Sequence, residues 1–324
     1  MRKIILLIII AIASSLLNIY FGSISIPARE ITKIIFGDEA ANETARFIIL
    51  QSRVPAAITA LFCGAALGVC GLLLQSYFRN PLAGPSILGI TSGANLAVAL
   101  GILYLGFSSP YSATVSALIG SLFVLAILLL LGKVVKDSTT LLIIGILISF
   151  LASAIISLVT YFSSADNAYS LLIWGMGSFN SIGTENLLLF CSLIALGLIL
   201  SVILIKPLNG WMLGEFYARN LGINIRLTRF LTLFTTGILA SVTTAFCGPI
   251  AFIGLSIPHL ARMISHTDNH RSLIPGSAFL GAICASLCLF ISTLPDNGRL
   301  LPINALTPIF GIPIIIYILL RKNY

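Results

Sequence analysis

Ionisable side chains are scarce in this sequence, and four of them gather in one place. Glu215, Arg219, Arg226 and Arg229 fall within fifteen residues, in the stretch Trp211–Arg229. Elsewhere the chain avoids charge almost completely, and a compact, mostly polar-faced helix of this kind is a handle for a partner protein. The stretch separates two long apolar blocks, so a helix built from it belongs outside the hydrocarbon, where a soluble partner can touch it. Other chemistry is sparse. His266 and His270 have an i, i+4 spacing, but they lack the thiolate or carboxylate set of a metal site. With His259 they are expected to be solvated loop residues, and no metal is expected. The six cysteines (Cys63, Cys70, Cys191, Cys247, Cys284, Cys288) lie in apolar segments with no C-x-x-C pair, which makes them packing residues. No G-x-x-x-x-G-K-[ST] occurs, so no nucleotide is bound by a P-loop.

The elements that position these residues follow from composition. The chain is 58% hydrophobic and 9% charged, against about 25% charged in a soluble domain. Runs of eighteen or more apolar residues recur, each long enough for a ~30 Å hydrocarbon layer. An all-α polytopic membrane protein is predicted. Ten spans are expected: Ile4–Gly22, Val54–Tyr77, Ile87–Gly106, Ser112–Leu131, Leu141–Tyr161, Asn186–Ile205, Phe230–Cys247, Ile250–Ile264, Gly276–Leu294 and Ile303–Leu320. The eighth is short. Arg2-Lys3 before an apolar run resembles the start of a signal peptide, but the run continues to Phe21 without a small-x-small site, so an uncleaved first span is expected. Ala168–Phe179 is too short to cross, and is taken as an interfacial helix or part of a gate.

Charge placement tests this topology. Ten spans put thirteen of the eighteen Lys and Arg on the side of the termini, with three acids, and five basic residues with seven acids on the other. The positive-inside rule then makes both termini cytoplasmic. The net charge of +8 is thereby a matter of orientation, with no nucleic-acid partner implied. No ionisable group remains in the middle of a span. That argues against coupling to an ion gradient, as in a secondary transporter, and against a membrane-embedded acid–base enzyme. Energy for any transport must come from another subunit.

Three stretches interrupt the apolar pattern in useful ways. In Cys63–Gln75, Gly64, Gly68 and Gly71 form a small-residue face suited to close helix packing. In Phe78–Gly93, Pro81 and Pro85 break the helix among several glycines; irregular backbone at membrane depth must be buried in protein or line a watery path. In Cys247–Arg262, Gly248-Pro249 and Pro258 interrupt helical bonding in the manner of a broken transporter helix.

Ordered motifs carry a resemblance over nearly the whole chain: R-V-P-A (Arg53–Ala56), G-A-A-L (Gly64–Leu67), Q-S-Y-F-R-N-P-L-A-G-P (Gln75–Pro85), L-G-I-T-S-G (Leu88–Gly93), L-G-E-F-Y-A-R-N-L-G-I (Leu213–Ile223), G-P-I-A-F-I-G-L-S-I-P-H-L-A-R (Gly248–Arg262) and L-P-I-N-A-L-T-P-I-F-G-I-P (Leu301–Pro313). On these the chain resembles the FecCD-type permeases, membrane subunits of ATP-driven importers for iron chelates, haem and cobalamin. The resemblance implies a single domain, residues 1–324, folded as the ten-helix bundle of a type II ABC importer permease in the cytoplasmic (inner) membrane. It implies a second permease subunit, two ATPase subunits that use ATP and Mg, a periplasmic substrate-binding protein, and no cofactor on this chain. Leu213, Gly214, Glu215, Ala218, Arg219, Leu221 and Gly222 match the coupling helix, near residues 211–223, that docks on the ATPase. Asn80, Leu82, Ser138 and Thr139 match a cytoplasmic gate. Arg53 matches a residue that receives an acid of the binding protein. The family's second Arg of R-L-P-R is Ala56 here, and its Asp…Arg pair late in the ninth span is Leu289 and Thr293, with Arg299 nearby as a stand-in for docking. The cargo expected first is an iron–siderophore or haem, with cobalamin second.

Overall fold

A computed structural model describes residues 2–37, 42–106, 109–135, 137–294 and 300–321. Arg299 lies outside the described residues, as do Asp38, Glu39, Lys136, Asp296 and Lys322 of the charge count. Fifteen α-helices follow one another, with no strand among the described residues. They are α1 (Arg2–Tyr20), α2 (Ala28–Ile35), α3 (Glu43–Ile48), α4 (Val54–Phe78), α5 (Ile90–Tyr104), α6 (Pro110–Val134), α7 (Ser138–Tyr161) and α8 (Ala165–Gly175), then α9 (Thr184–Ile203), α10 (Ile205–Met212), α11 (Glu215–Asn220), α12 (Ile225–Cys247), α13 (Ile253–Ser265), α14 (His270–Ser292) and α15 (Ile303–Arg321). Polar caps start many of them. Side-chain oxygens of Asn42, Ser109, Asp137, Ser164, Asn224 and Asn269 each accept from a first-turn backbone N–H, donors that have no partner within the helix.

A helix stands at each of the ten expected spans, but seven of the described helical stretches are long and apolar enough to cross a membrane. The second of these is longer than expected. A wider π turn at Ile49–Arg53 joins α3 to α4, giving 36 helical residues from Glu43 to Phe78. Helices α5 and α13 are shorter. Ile87 and Leu88 belong to a 3-10 turn, and Gly89 is left-handed at φ 78°, so α5 has 15 residues, roughly 22 Å. The eighth expected span loses Ile250–Phe252: Gly248 and Phe252 take φ of 74° and 66°, and α13 keeps 13 residues, roughly 20 Å. In α15 the apolar stretch is Ile303–Tyr317.

Helix α4 is the axis of the bundle, enclosed by α9, α12, α13 and α14. Its glycine face explains why the neighbours come so close. A Cβ built on Gly64 would sit 2.1 Å from Gly281 O, one on Gly68 2.5 Å from Ser277 O, and one on Gly71 1.7 Å from Gly254 O. Backbone thus lies on backbone along α4–α14 and α4–α13, the route to helix association when lipid removes the hydrophobic drive between helices. By contrast α1, α7 and α9 leave most of their apolar side chains uncovered.

Candidate docking and gate surfaces

The charged stretch is built differently from the single polar helix expected. It divides into the end of α10, the two-turn α11 and the start of α12, with Arg226 and Arg229 already inside α12. Helix α10 is fastened to the bundle. Trp211 stacks on Tyr77 at 5.5 Å, donates from Nε1 to Tyr77 O at 2.9 Å, and carries the Arg79 guanidinium over its ring at 5.3 Å. Arg79 also donates to Trp211 O. A second fastening uses His270, which is completely buried rather than solvated. Asn209 Oδ1 accepts from His270 N at 2.9 Å and Nδ1 at 2.7 Å, while Nε2 lies 2.7 Å from Ser76 Oγ. The backbone N–H can donate only to an oxygen, which sets the carboxamide and places a proton on His270 Nδ1. His259 sits in α13 rather than a loop, partly exposed, with Nε2 2.9 Å from Pro81 O; His266 is exposed, as expected, at the left-handed C-cap of α13.

From this fixed base α11 projects. Gly214 and Gly222 frame it at φ 118° and 76°, conformations that Cβ-bearing residues disfavour. Ala218 is fully buried, and the Glu215–Arg219 pair closes at 2.5 Å on the exposed face. Around that pair Leu213, Phe216, Tyr217 and Leu221 are each more than 60% exposed. Such an apolar cluster beside charges, at the end of the bundle away from Arg53, marks a protein contact surface. A cleft of about 840 Å³ runs beside it, walled by Lys133, Glu215, Arg219, Arg226 and Arg229. Arg229 crosses to the end of α6, donating to Gly132 O at 3.0 Å and Val135 O at 2.6 Å. These groups can bind and transmit movement.

Near the same end, Asn80 Oδ1 accepts from Leu82 N at 2.9 Å, which folds Pro81 and a half-exposed Leu82 into a turn. Pro85 lies against Gly254 of α13, where an added Cβ would be 2.8 Å from the ring, and Leu88 rests on Gly145 of α7. Ser138 and Thr139 sit in the first turn of α7, capped by Asp137, whose Oδ2 accepts from the N–H and hydroxyl of Thr140, both at 2.8 Å. Those bonds hold the Asp137 carboxyl below its usual range. Among the described residues no hydrogen bond joins Ser138 or Thr139 to Asn80 or Leu82.

At the far end Arg53 is buried, 8% exposed, donating to the carbonyls of Ile19 at 3.0 Å, Tyr20 and Ile24. Its guanidinium ties the end of α1 to the start of α4 through these three carbonyls. The three departures from the family pattern meet beside it. Ala56, Leu289 and Thr293 line one cleft of about 250 Å³ with Arg53, so charges missing from the sequence at separate places are missing from a single site.

Sequence reasoning overlooked two further features. A cavity of about 700 Å³ opens between α5, α6, α8 and α12, lined by Thr114, Asn167, Tyr169, Ser178 and Trp174. Helix α8 backs it and is pinned to the α12–α13 break: Ser178 N donates to Cys247 O at 2.8 Å, and a Cβ on Gly248 would lie 2.7 Å from Trp174 O. Pro249 stands in that break, and Pro258 is buried inside α13. Asn304 bridges it from α15, accepting from Ala251 N at 3.1 Å and donating to Gly175 O at 3.4 Å. Its place in L-P-I-N-A-L-T-P, a polar residue at the mouth of an apolar helix, was the available signal.

Comparisons with known proteins fit this architecture. The family model described as the FecCD transport family matches residues 7–321. The vitamin B12 import system permease protein BtuC of Salmonella typhi is 35% identical over 275 residues, 85% of this chain and 84% of that protein. The hemin transport system permease protein HmuU of Yersinia pestis is 36% identical over 328 residues, 98% and 94% of the two. A solved structure described as an inward-facing conformation of a metal-chelate type ABC transporter superposes with a TM-score of 0.87 at 31% identity, covering 99% of both chains. PsaBC from Streptococcus pneumoniae shares the fold, with a TM-score of 0.58 at 19% identity over 89% of this chain and 95% of its own. The chain belongs to the FecCD transport family.

Proposed function

We propose that this chain is the membrane-spanning half of an ATP-driven importer that carries an iron chelate, an iron–siderophore or haem, into the cell. The observation that carries the reading is the match over 98% of the chain to a permease named for hemin, joined to a solved fold named for metal chelates. In this reading the bundle pairs with a second permease chain in the cytoplasmic membrane, both termini on the cytoplasmic side. A separate ATPase docks on the apolar and charged knuckle of α11, and a binding protein delivers cargo at the Arg53 end. ATP and Mg act in the partner subunits; this chain supplies the path and the lever.

Cobalamin is the second reading, favoured by the 35% identity to a B12 permease. The two are separated by binding of labelled hemin, ferric siderophore and cobalamin to the cognate binding protein, followed by uptake into proteoliposomes holding the assembled importer. Saturable iron-chelate binding with ATP-dependent uptake supports the first reading. Saturable cobalamin binding with no iron-chelate binding overturns it.

A further inference from the structure

At the junction of α9, α10 and α14 a surface pocket of about 500 Å³ has an unusual polarity. Lys206 and Arg271 line it with Asn209 and Asn269. Both carboxamide oxygens are already used. Asn209 Oδ1 accepts from His270, and Asn269 Oδ1 accepts from Asn209 Nδ2 at 3.0 Å and from Arg271 N at 2.9 Å. What remains to face a ligand is a set of donors: the Lys206 ammonium, the Arg271 guanidinium and Asn269 Nδ2. Among the described residues neither basic side chain has an ion pair, and Asp268, next in sequence, pairs with Arg262 at 3.6 Å. Several donors and two positive charges in one pocket call for a compact anion with several oxygens, which is phosphate chemistry.

The remaining wall says where that phosphate comes from. Val202 and Ile203 line the same pocket from the last turn of α9 and are 55% and 59% exposed. Helix α9 is one of the seven apolar enough to cross a membrane, so its exposed aliphatic face continues from hydrocarbon directly to the cations. A free phosphate has no use for that face; a phospholipid lays its acyl chains along it. We propose that this pocket binds an anionic phospholipid, its phosphate held by Lys206, Arg271 and Asn269 and its chains against Val202 and Ile203. Asn209 links the site to function, because the same carboxamide that positions Asn269 clamps His270 and hence α10. The proposal does not depend on the identity of the cargo.

The test uses the purified, delipidated full chain, titrated with dioleoylphosphatidylglycerol and with dioleoylphosphatidylcholine, bound lipid being counted by native mass spectrometry. The phosphatidylglycerol is expected to bind at least about tenfold more tightly. Lys206→Gln with Arg271→Gln should weaken it about 30-fold, at about 1 kcal/mol for each basic residue near an anionic surface. Lys206→Arg with Arg271→Lys should retain it. Arg29→Gln with Lys33→Gln, remote from the pocket, should change nothing and shows that the loss is local. Equal binding of the two lipids, or no loss in the Gln pair, overturns the proposal. Displacement of the lipid by an equal concentration of inorganic phosphate assigns the pocket to the free ion and overturns it too, as does occlusion of Lys206 and Arg271 by the ATPase in the assembled complex.

Discussion

Gly222 offers a graded test of the α11 hairpin. Its φ is 76°, and nothing lies within 4 Å of a Cβ built on it, so substitution is governed by backbone conformation alone. Alanine would hold the left-handed conformation at a cost of roughly 1–2 kcal/mol, a factor of about 5–30 in the population of the formed hairpin. Asparagine visits this region more readily, so its cost is smaller. Proline cannot reach it, since its ring holds φ near −65°, and it removes the N–H that donates to Arg219 O at 2.9 Å. The expected order of ATPase stimulation and uptake in proteoliposomes is therefore Gly, Asn, Ala, Pro. Thermal unfolding of the bundle should be unchanged across the series, because Leu213, Phe216, Tyr217 and Leu221 are exposed and contribute little to the core. Full uptake by the Gly222→Pro chain with normal ATPase association would refute the assignment of α11 as the docking element.

Three other outcomes follow from distances. Gly71→Ala places a methyl 1.7 Å from Gly254 O, and should lower stability by about 1–3 kcal/mol or more, read as a fall in the thermal midpoint in detergent; an unchanged midpoint would refute the close approach of α4 and α13. Arg53→Ala should leave three part-buried carbonyls without this donor and cost about 1–3 kcal/mol, while affinity for the binding protein changes only as far as folding does. A selective loss of that affinity with normal stability would instead give Arg53 the docking role. Asp137 is held below its ordinary carboxyl value by Thr140, so its cap contribution is present above the unfolded value near about pH 4 and fades as pH falls through the lower folded value. The thermal midpoints of the native chain and Asp137→Asn should accordingly converge on acidification from pH 6, and parallel curves would contradict this.

The helices were legible because burial in lipid demands long apolar runs, and Gly248-Pro249 announced the break before α13. The positive φ of Phe252 was not legible: it sits at the centre of a tight turn in which Ile253 N donates to Ala251 O at 2.8 Å, beside the Ala251 N–H that donates to Asn304 of α15. His270 illustrates the same limit. Its partners Ser76 and Asn209 are 194 and 61 residues away, and only their convergence removes it from water. Arg53 carries a docking expectation only through the family resemblance; the carbonyls that engage it belong to the end of α1 and the turn after it, 29 to 34 residues away, which the R-V-P-A motif does not show. In the hairpin, alternating Leu, Phe, Tyr and Ala gave no sign that Ala218 alone would turn inward.

The glycine seam of α4 has a mechanical meaning. Where backbone meets backbone at Gly64–Gly281 and Gly71–Gly254 no rotamer is available to absorb displacement. The three helices concerned form a stiff girder, and Trp211, stacked on Tyr77, welds the base of the lever to it. A force on α11 would therefore pass into the girder through ring and backbone contacts. Among the described residues α1 and α9 carry no such backbone seam: α1 has no glycine, and Gly197 of α9 meets only the Leu239 side chain.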